Sequence, residues 1–152
     1  MVDLYVEPLS DKLIGEVQPL IELHYEELTL HKQVVKLDPD WNRYKSLADQ
    51  NMITIITARD KGILIGYSLF FVNSHIHYKN NIMANNDVLY LHPDYRQGRT
   101  GLKLIRKCEQ VLQEQQVDKI VWHVKYAKDF RQILYRLGYE DEDALVGKII
   151  RK

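Results

Sequence analysis

The chain has 152 residues, 45% hydrophobic and 28% charged, which suits one domain with a sizeable core. Lysine plus arginine and aspartate plus glutamate each number 21, so the net charge is zero and offers no long-range pull toward nucleic acid or an anionic membrane. A single cysteine, Cys108, excludes an internal disulfide framework, no run approaches a membrane span, and the opening residues lack an export signal; a soluble, cytoplasmic protein is expected.

Val2 to Val6 alternates apolar and polar residues and predicts a first strand. From Ser10, a good N-cap, Leu13, Val17, Leu20, Ile21, His24 and Leu28 recur at helical spacing. Pro19 lies inside that pattern and predicts a break near Gln18 or a kinked pair of short helices. Glu22 and Glu26 form an acidic face, with Glu27 beside it. Asp38 as N-cap and Pro39 at the first helical position predict a second helix, with Trp41, Tyr44 and Leu47 on one face.

Met52–Thr57 and Ile63–Val72 are rich in β-branched and aromatic residues and predict a hairpin through Arg59–Gly62. Asn73 to Asn86 is polar and predicts a surface loop near the site, followed by a strand from Asp87 to His92. A helix from about Arg99 to Gln116 places Leu102, Ile105, Cys108 and Leu112 inside, which makes Cys108 a buried thiol rather than a nucleophile. A strand over Lys119–Val124, a helix over Asp129–Leu137 stopped by Gly138, and two short closing strands at Tyr139 and Ala144–Ile150 complete the pattern. The order gives an α/β fold, an α+β mixed sheet in a single domain over residues 1–152, with its ligand site at a βα turn.

That turn is Arg96-Gln-Gly-Arg-Thr-Gly101, between the Asp87–His92 strand and the following helix. Helix N-termini favour acidic residues, yet Arg96, Arg99 and Lys103 surround this one, so a bound anion is expected. The run, continued by Leu-Lys-Leu-Ile, resembles the acetyl-coenzyme A motif of the GNAT superfamily of N-acetyltransferases, Gln/Arg-x-x-Gly-x-Gly/Ala. Arg96 and Gly101 match that motif; Arg99 stands at the first glycine's place and Gly98 one position earlier. The resemblance implies a GNAT-like acyl-CoA N-acyltransferase fold and acetyl-CoA as co-substrate. It also implies that backbone N–H groups of Gln97, Gly98, Arg99, Thr100, Gly101 and Leu102 hold the pyrophosphate, while the strand before them pairs with the pantetheine arm.

Acetyl transfer to a primary amine, of a small molecule or a protein, sets the remaining requirements. An amine of pKa near 10 is about one part in a thousand neutral at pH 7, so a base or water relay is needed. Asp87, His92 and His123 are the candidates; each also has an ordinary reading as a strand-end or packed residue. A strand N–H near Leu91 or His92 is the candidate oxyanion donor. Counting back from Gly138 puts Leu134 where the family commonly has a tyrosine acid, with Tyr135 one residue on as a candidate proton donor and Tyr126 as a weaker substitute. Glu22 and Glu26 are candidates for attracting a cationic acceptor. His75 and His77 lack a third ligand at an informative spacing, so no metal is expected. Two other readings stand beside the transferase: a catalytically weak coenzyme A-binding module with a regulatory or protein-contact role, favoured by Leu134, and a nucleotide- or nucleic-acid-associated protein, disfavoured by the neutral charge. Trp41, Tyr44 and Tyr78 suit a homodimer interface as readily as a pocket.

Overall fold

In the computed structural model, which describes residues 1–151, the chain runs β1 (Val2–Val6), α1 (Asp11–Leu28), α2 (Trp41–Asp49), β2 (Ile53–Asp60), β3 (Ile63–His75), β4 (Tyr78–Leu91), α3 (Thr100–Glu114), β5 (Lys119–Val121) and α4 (Arg131–Arg136). The strands form one five-stranded sheet in chain order, antiparallel from β1 to β4 and parallel between β4 and β5. Each face buries a different set of side chains, as alternation along the strands requires. On one, Leu13, Val17 and Leu20 of α1 meet Ile55, Tyr67, Leu69 and Tyr90. On the other, Leu104, Cys108, Val111 and Leu112 of α3 meet Ile56, Phe70 and Ala84. Among the described residues no helix is long and apolar enough to cross a membrane.

Several expected boundaries move. The first helix is continuous through Pro19 rather than broken near Gln18, because Leu13, Val17 and Leu20 lie on both sides of the proline and dock on the same sheet face. Ser10 does cap it, accepting from the Leu13 N–H at 3.1 Å. The second helix begins later than expected: Asp40, not Asp38, is the N-cap and accepts from the Arg43 N–H at 3.0 Å. In α3, Leu104 rather than Leu102 completes the buried face. The expected loop over Asn73–Asn86 is strand instead: β3 and β4 pair as a long hairpin from Gly66↔Leu91 to His75↔Tyr78, since ladder pairing overrides the poor strand propensity of asparagine. The two closing strands are absent, and residues 139–151 carry no strand or helix.

Away from the site a charged clamp holds β1, α1 and β2 together. The Arg59 guanidinium bonds Glu7 at 2.8 Å and Glu16 at 2.6 Å, and the Thr57 hydroxyl donates to Glu7 as well. Arg59 is 12% exposed, and its hydrogen bonds keep both carboxyls below the ordinary glutamate range against the opposing effect of burial.

Candidate active site

The cradle lies where β4 hands over to α3. His92 caps a short 3-10 turn over Pro93–Tyr95, its Nδ1 accepting from the Asp94 N–H at 3.2 Å, and the chain then passes through Gln97, Gly98 and Arg99 into Thr100. Gly98 sits at φ +78°, in the left-handed region, with open space where a Cβ would be. Arg99 caps α3 with no side-chain hydrogen bond, and no acidic residue lies in the first turn. The first N–H groups of α3, around Thr100, Gly101 and Leu102, thus keep their donor capacity beside the exposed Arg99 and Lys103. Such an end fits a diphosphate.

Arg96 is placed differently. Its Nε donates to the Leu91 carbonyl at 2.7 Å, its Nη2 grips both oxygens of Glu27 at 2.9 and 3.0 Å, and its guanidinium lies 5.3 Å over the Tyr90 ring. It therefore ties α1 to the end of β4 instead of standing free at the helix end with Arg99.

The neighbouring edge of β4 is opened by the limits of its pairing. β5 contacts β4 only at Met83↔Lys119, Ala84↔Ile120 and Asn85↔Val121. On the other side, the His92 N–H donates to the Ile65 carbonyl at 2.7 Å, so in the alternating antiparallel ladder Tyr90 and Val88 bond toward β3 while Leu91 and Leu89 face away. The backbone N–H of Leu91 thus faces the gap beyond the end of β5, whereas that of His92 is already used. Gly66 of β3 is required at this point: a Cβ there would come within 2.8 Å of the Tyr90 carbonyl.

A bulge in β4 positions Asp87. The pairing shifts between Leu69↔Val88 and Phe70↔Asn86, leaving Asp87 as the extra residue. Asn86, 4% exposed, satisfies the disturbed ladder: its amide donates to the Leu69 carbonyl at 3.3 Å, the Val88 carbonyl at 3.0 Å and Ser68 Oγ at 3.0 Å. Asp87 accepts from the Tyr44 hydroxyl of α2 at 2.7 Å. Burial raises the Asp87 pKa, opposed by the Tyr44 hydrogen bond and by His123, which lies close enough for its charge to be felt. Burial likewise raises the Tyr44 and Tyr67 phenols, with Asp87 adding to both.

Tyr67 and Tyr90, a cross-strand pair, are 3% and 2% exposed, and neither hydroxyl has a hydrogen-bond partner among the described residues. His24 of α1 lies 5.3 Å from the Tyr90 ring, and burial lowers its pKa. These residues were not singled out from the sequence as site residues; the only signal was their helical or alternating spacing, which marks core and pocket alike. Of the other candidates, Glu22 and Glu26 lie on the exposed face of α1, where Glu22 accepts from Gln18 and Glu26 pairs with Lys32 at 3.4 Å. Glu27 is the carboxylate of that helix turned toward the site. Tyr135 gives its hydroxyl to Asp141 at 2.6 Å, and the adjacent Leu134 is 4% exposed in the core.

Comparison with known proteins agrees with this architecture. No curated protein matches the sequence. Among solved structures, a ribosomal-protein-alanine N-acetyltransferase from Brucella melitensis biovar Abortus 2308 is 20% identical with a TM-score of 0.69, over 100% of this chain and 99% of that one. An aminoglycoside acetyltransferase from an uncultured soil metagenomic sample, in complex with sisomicin, is 15% identical with a TM-score of 0.72, over 99% and 95%. A predicted acetyltransferase from Clostridium acetobutylicum, solved with acetyl-CoA, is 12% identical with a TM-score of 0.71, over 99% and 97%. The model of the acetyltransferase (GNAT) family matches residues 17–139, which takes in most of α1, the bulged strand, the cradle and α4, and the chain belongs to that family of acetyltransferases.

Proposed function

We propose that the protein transfers the acetyl group of acetyl-CoA to a primary amine, by direct attack of the amine on the thioester. The observation that carries this reading is the meeting of an unpaired β4 edge at Leu91 with the Asp87 carboxyl, beside an uncapped, basic helix start. Acetyl-CoA supplies the activated carbonyl. The N–H groups from Gln97 to Leu102, with the Arg99 and Lys103 side chains, hold its diphosphate. The Leu91 N–H, facing the gap, meets the oxygen of the carbonyl as it gains charge. Asp87 binds the incoming ammonium and takes its proton, directly or through water and His123. Its carboxyl, kept from full solvation, is a stronger base than an ordinary aspartate. The coenzyme leaves as a thiolate, which with a pKa of about 8.5 departs without a dedicated acid.

Proteins of this fold act on a ribosomal-protein alanine and on aminoglycosides, and the Asp87 pocket suits an ammonium from either kind of acceptor. Buried Leu134 and the engaged Tyr135 hydroxyl favour a second reading, a coenzyme-binding module of slow turnover. Release of free thiol from acetyl-CoA, followed with a panel of polyamines, amino sugars and peptides, separates the two. Amine-dependent thiol release supports the transferase; tight coenzyme binding with no release above the amine-free rate supports the module.

A further inference from the structure

Tyr95 and Arg96 are neighbours in the turn that leads into the cradle, and they are tied to opposite faces of the sheet. Arg96 lies over Tyr90 on the α1 side, where Glu27 holds it. Leu91, next along β4, presents its side chain to the other face. There Tyr95, half-buried, packs against Ala58, Ile65 and Leu91, and its hydroxyl donates to Oδ2 of Asp60, the last residue of β2, at 2.6 Å.

That bond is the one hydrogen bond this carboxylate accepts among the described residues. Its other oxygen, Oδ1, is buried without a hydrogen-bond partner, and the Met1 amine stands 3.8 Å from it. Asp60 in turn keeps the phenol protonated, raising its pKa chiefly through the same bond. A hydrogen bond to an ionised acceptor is roughly twice as strong as a neutral one, and it is directional. The apolar contacts of the ring are not directional, so the hydroxyl is what fixes the angle at which Tyr95 holds the turn.

What the turn carries makes that angle matter. The Tyr95 N–H donates to the His92 carbonyl at 2.9 Å and the Arg96 N–H to the Pro93 carbonyl at 3.2 Å, so the turn moves as a unit. Gln97, Gly98 and Arg99 follow directly and lead into α3, whose Gly101 lies so close to Leu91 that a Cβ there would be 3.9 Å from its side chain. A tilt at Tyr95 therefore displaces the N–H groups from Gln97 to Leu102 against a β4 strand that stays fixed by its ladder to β3. We propose that Asp60, acting through the Tyr95 hydroxyl, is a positioning residue for coenzyme binding, which sets the angle at which those N–H groups meet the diphosphate. This rests on the reading that the cradle holds acetyl-CoA.

Tyr95→Phe keeps the ring and its packing and removes only the bond, and Asp60→Ala removes the same bond from the other side. In calorimetry on the full chain each should weaken acetyl-CoA binding about tenfold, the scale of losing one hydrogen bond to a charged group, and KM for acetyl-CoA should rise by as much while kcat moves less than about twofold. Asp60→Asn, whose side-chain oxygen still accepts from the phenol, should stay within about threefold of wild type. The discriminating ligand is acetylpantetheine, which has the thioester and lacks the diphosphate. A positioning role leaves its affinity unchanged in Tyr95→Phe, whereas a general loosening of the fold weakens it alongside acetyl-CoA. Acetyl-CoA affinity unmoved in both Tyr95→Phe and Asp60→Ala, or a parallel loss for acetylpantetheine, overturns the proposal. Failure of the transferase reading shows separately, as coenzyme binding by the wild type without amine-dependent thiol release.

Discussion

The two sides of the site are assembled in different ways. The cradle is one contiguous run, from Leu91 to Lys103, in which strand end, turn and helix start are neighbours in sequence. The proposed acceptor side is drawn from α1, α2, β3, β4 and the residues after β5, and Asp87, Tyr44, Tyr67, His24 and His123 come together only when the sheet forms. A local device depends on backbone conformation and a few charges. An assembled one depends on packing at a distance, so it responds to substitutions far from the chemistry.

The largest expected effect breaks the assembled side alone. Asp87→Asn should lower kcat/KM about 10²- to 10⁴-fold, as loss of a general base does, while calorimetric affinity for the coenzyme stays unchanged. A matching loss of coenzyme affinity would erase the distinction. The pH profile should show the same group: because burial raises the Asp87 pKa, the rate should fall in acid at a higher pH than for an unperturbed aspartate. Tyr44→Phe removes a hydrogen bond that lowers that pKa, so the acid limb should move further up.

Next in size is the distant clamp. Arg59→Ala leaves Glu7 and Glu16 without their cation and should cost about 3 kcal/mol, lowering Tm by several degrees in thermal unfolding. Both carboxyls have folded pKa values below their unfolded ones. The stability they contribute is therefore present above pH 4.5 and lost as pH falls through the depressed values, and the variant should lack that acid-dependent component. On the cradle, Arg99→Ala with Lys103→Ala should weaken coenzyme binding about tenfold at low salt and less at high salt, with stability within about 0.5 kcal/mol of wild type. The smallest effect is expected at Tyr135→Phe, whose phenol already bonds Asp141: kcat with saturating substrates should change less than about twofold, the scale of losing one exposed hydrogen bond.

The contrast also explains what the sequence made legible. The order of elements and the basic turn could be read because alternation, helical spacing and a glycine within an arginine-rich run are local signals. Asn73–Asn86 read as a loop because asparagine is a poor strand former; what makes it strand is a ladder to β3, contributed by residues not adjacent in the chain. Arg96 and Arg99 looked equivalent by charge, and only the fold brings Glu27 across from α1 to engage one of them. Pro19 suggested a break because the burial of Leu13 and Leu20 on a common face is a tertiary fact. Residues 144–150 have the composition of a strand, but no ladder partner meets them and they carry no strand, since pairing is a tertiary fact that composition does not specify.

The bulge at Asp87 has a consequence for how the sheet is read along its length. Upstream of it Ala84 faces the α3 side; downstream, Val88 and Tyr90, of the same parity, face α1. One inserted residue thus makes a single strand change sides, and the carboxylate sits at the crossing point. Asn86 is what keeps that dislocation in place, so Asn86→Leu, though similar in volume, would remove the amide's hydrogen bonds to the Leu69 and Val88 carbonyls, leave the Ser68 hydroxyl on Val88, and let the pleat slide straight. The proposed base is in this sense mounted on a fault line, where it is held in place by the amide of its neighbour.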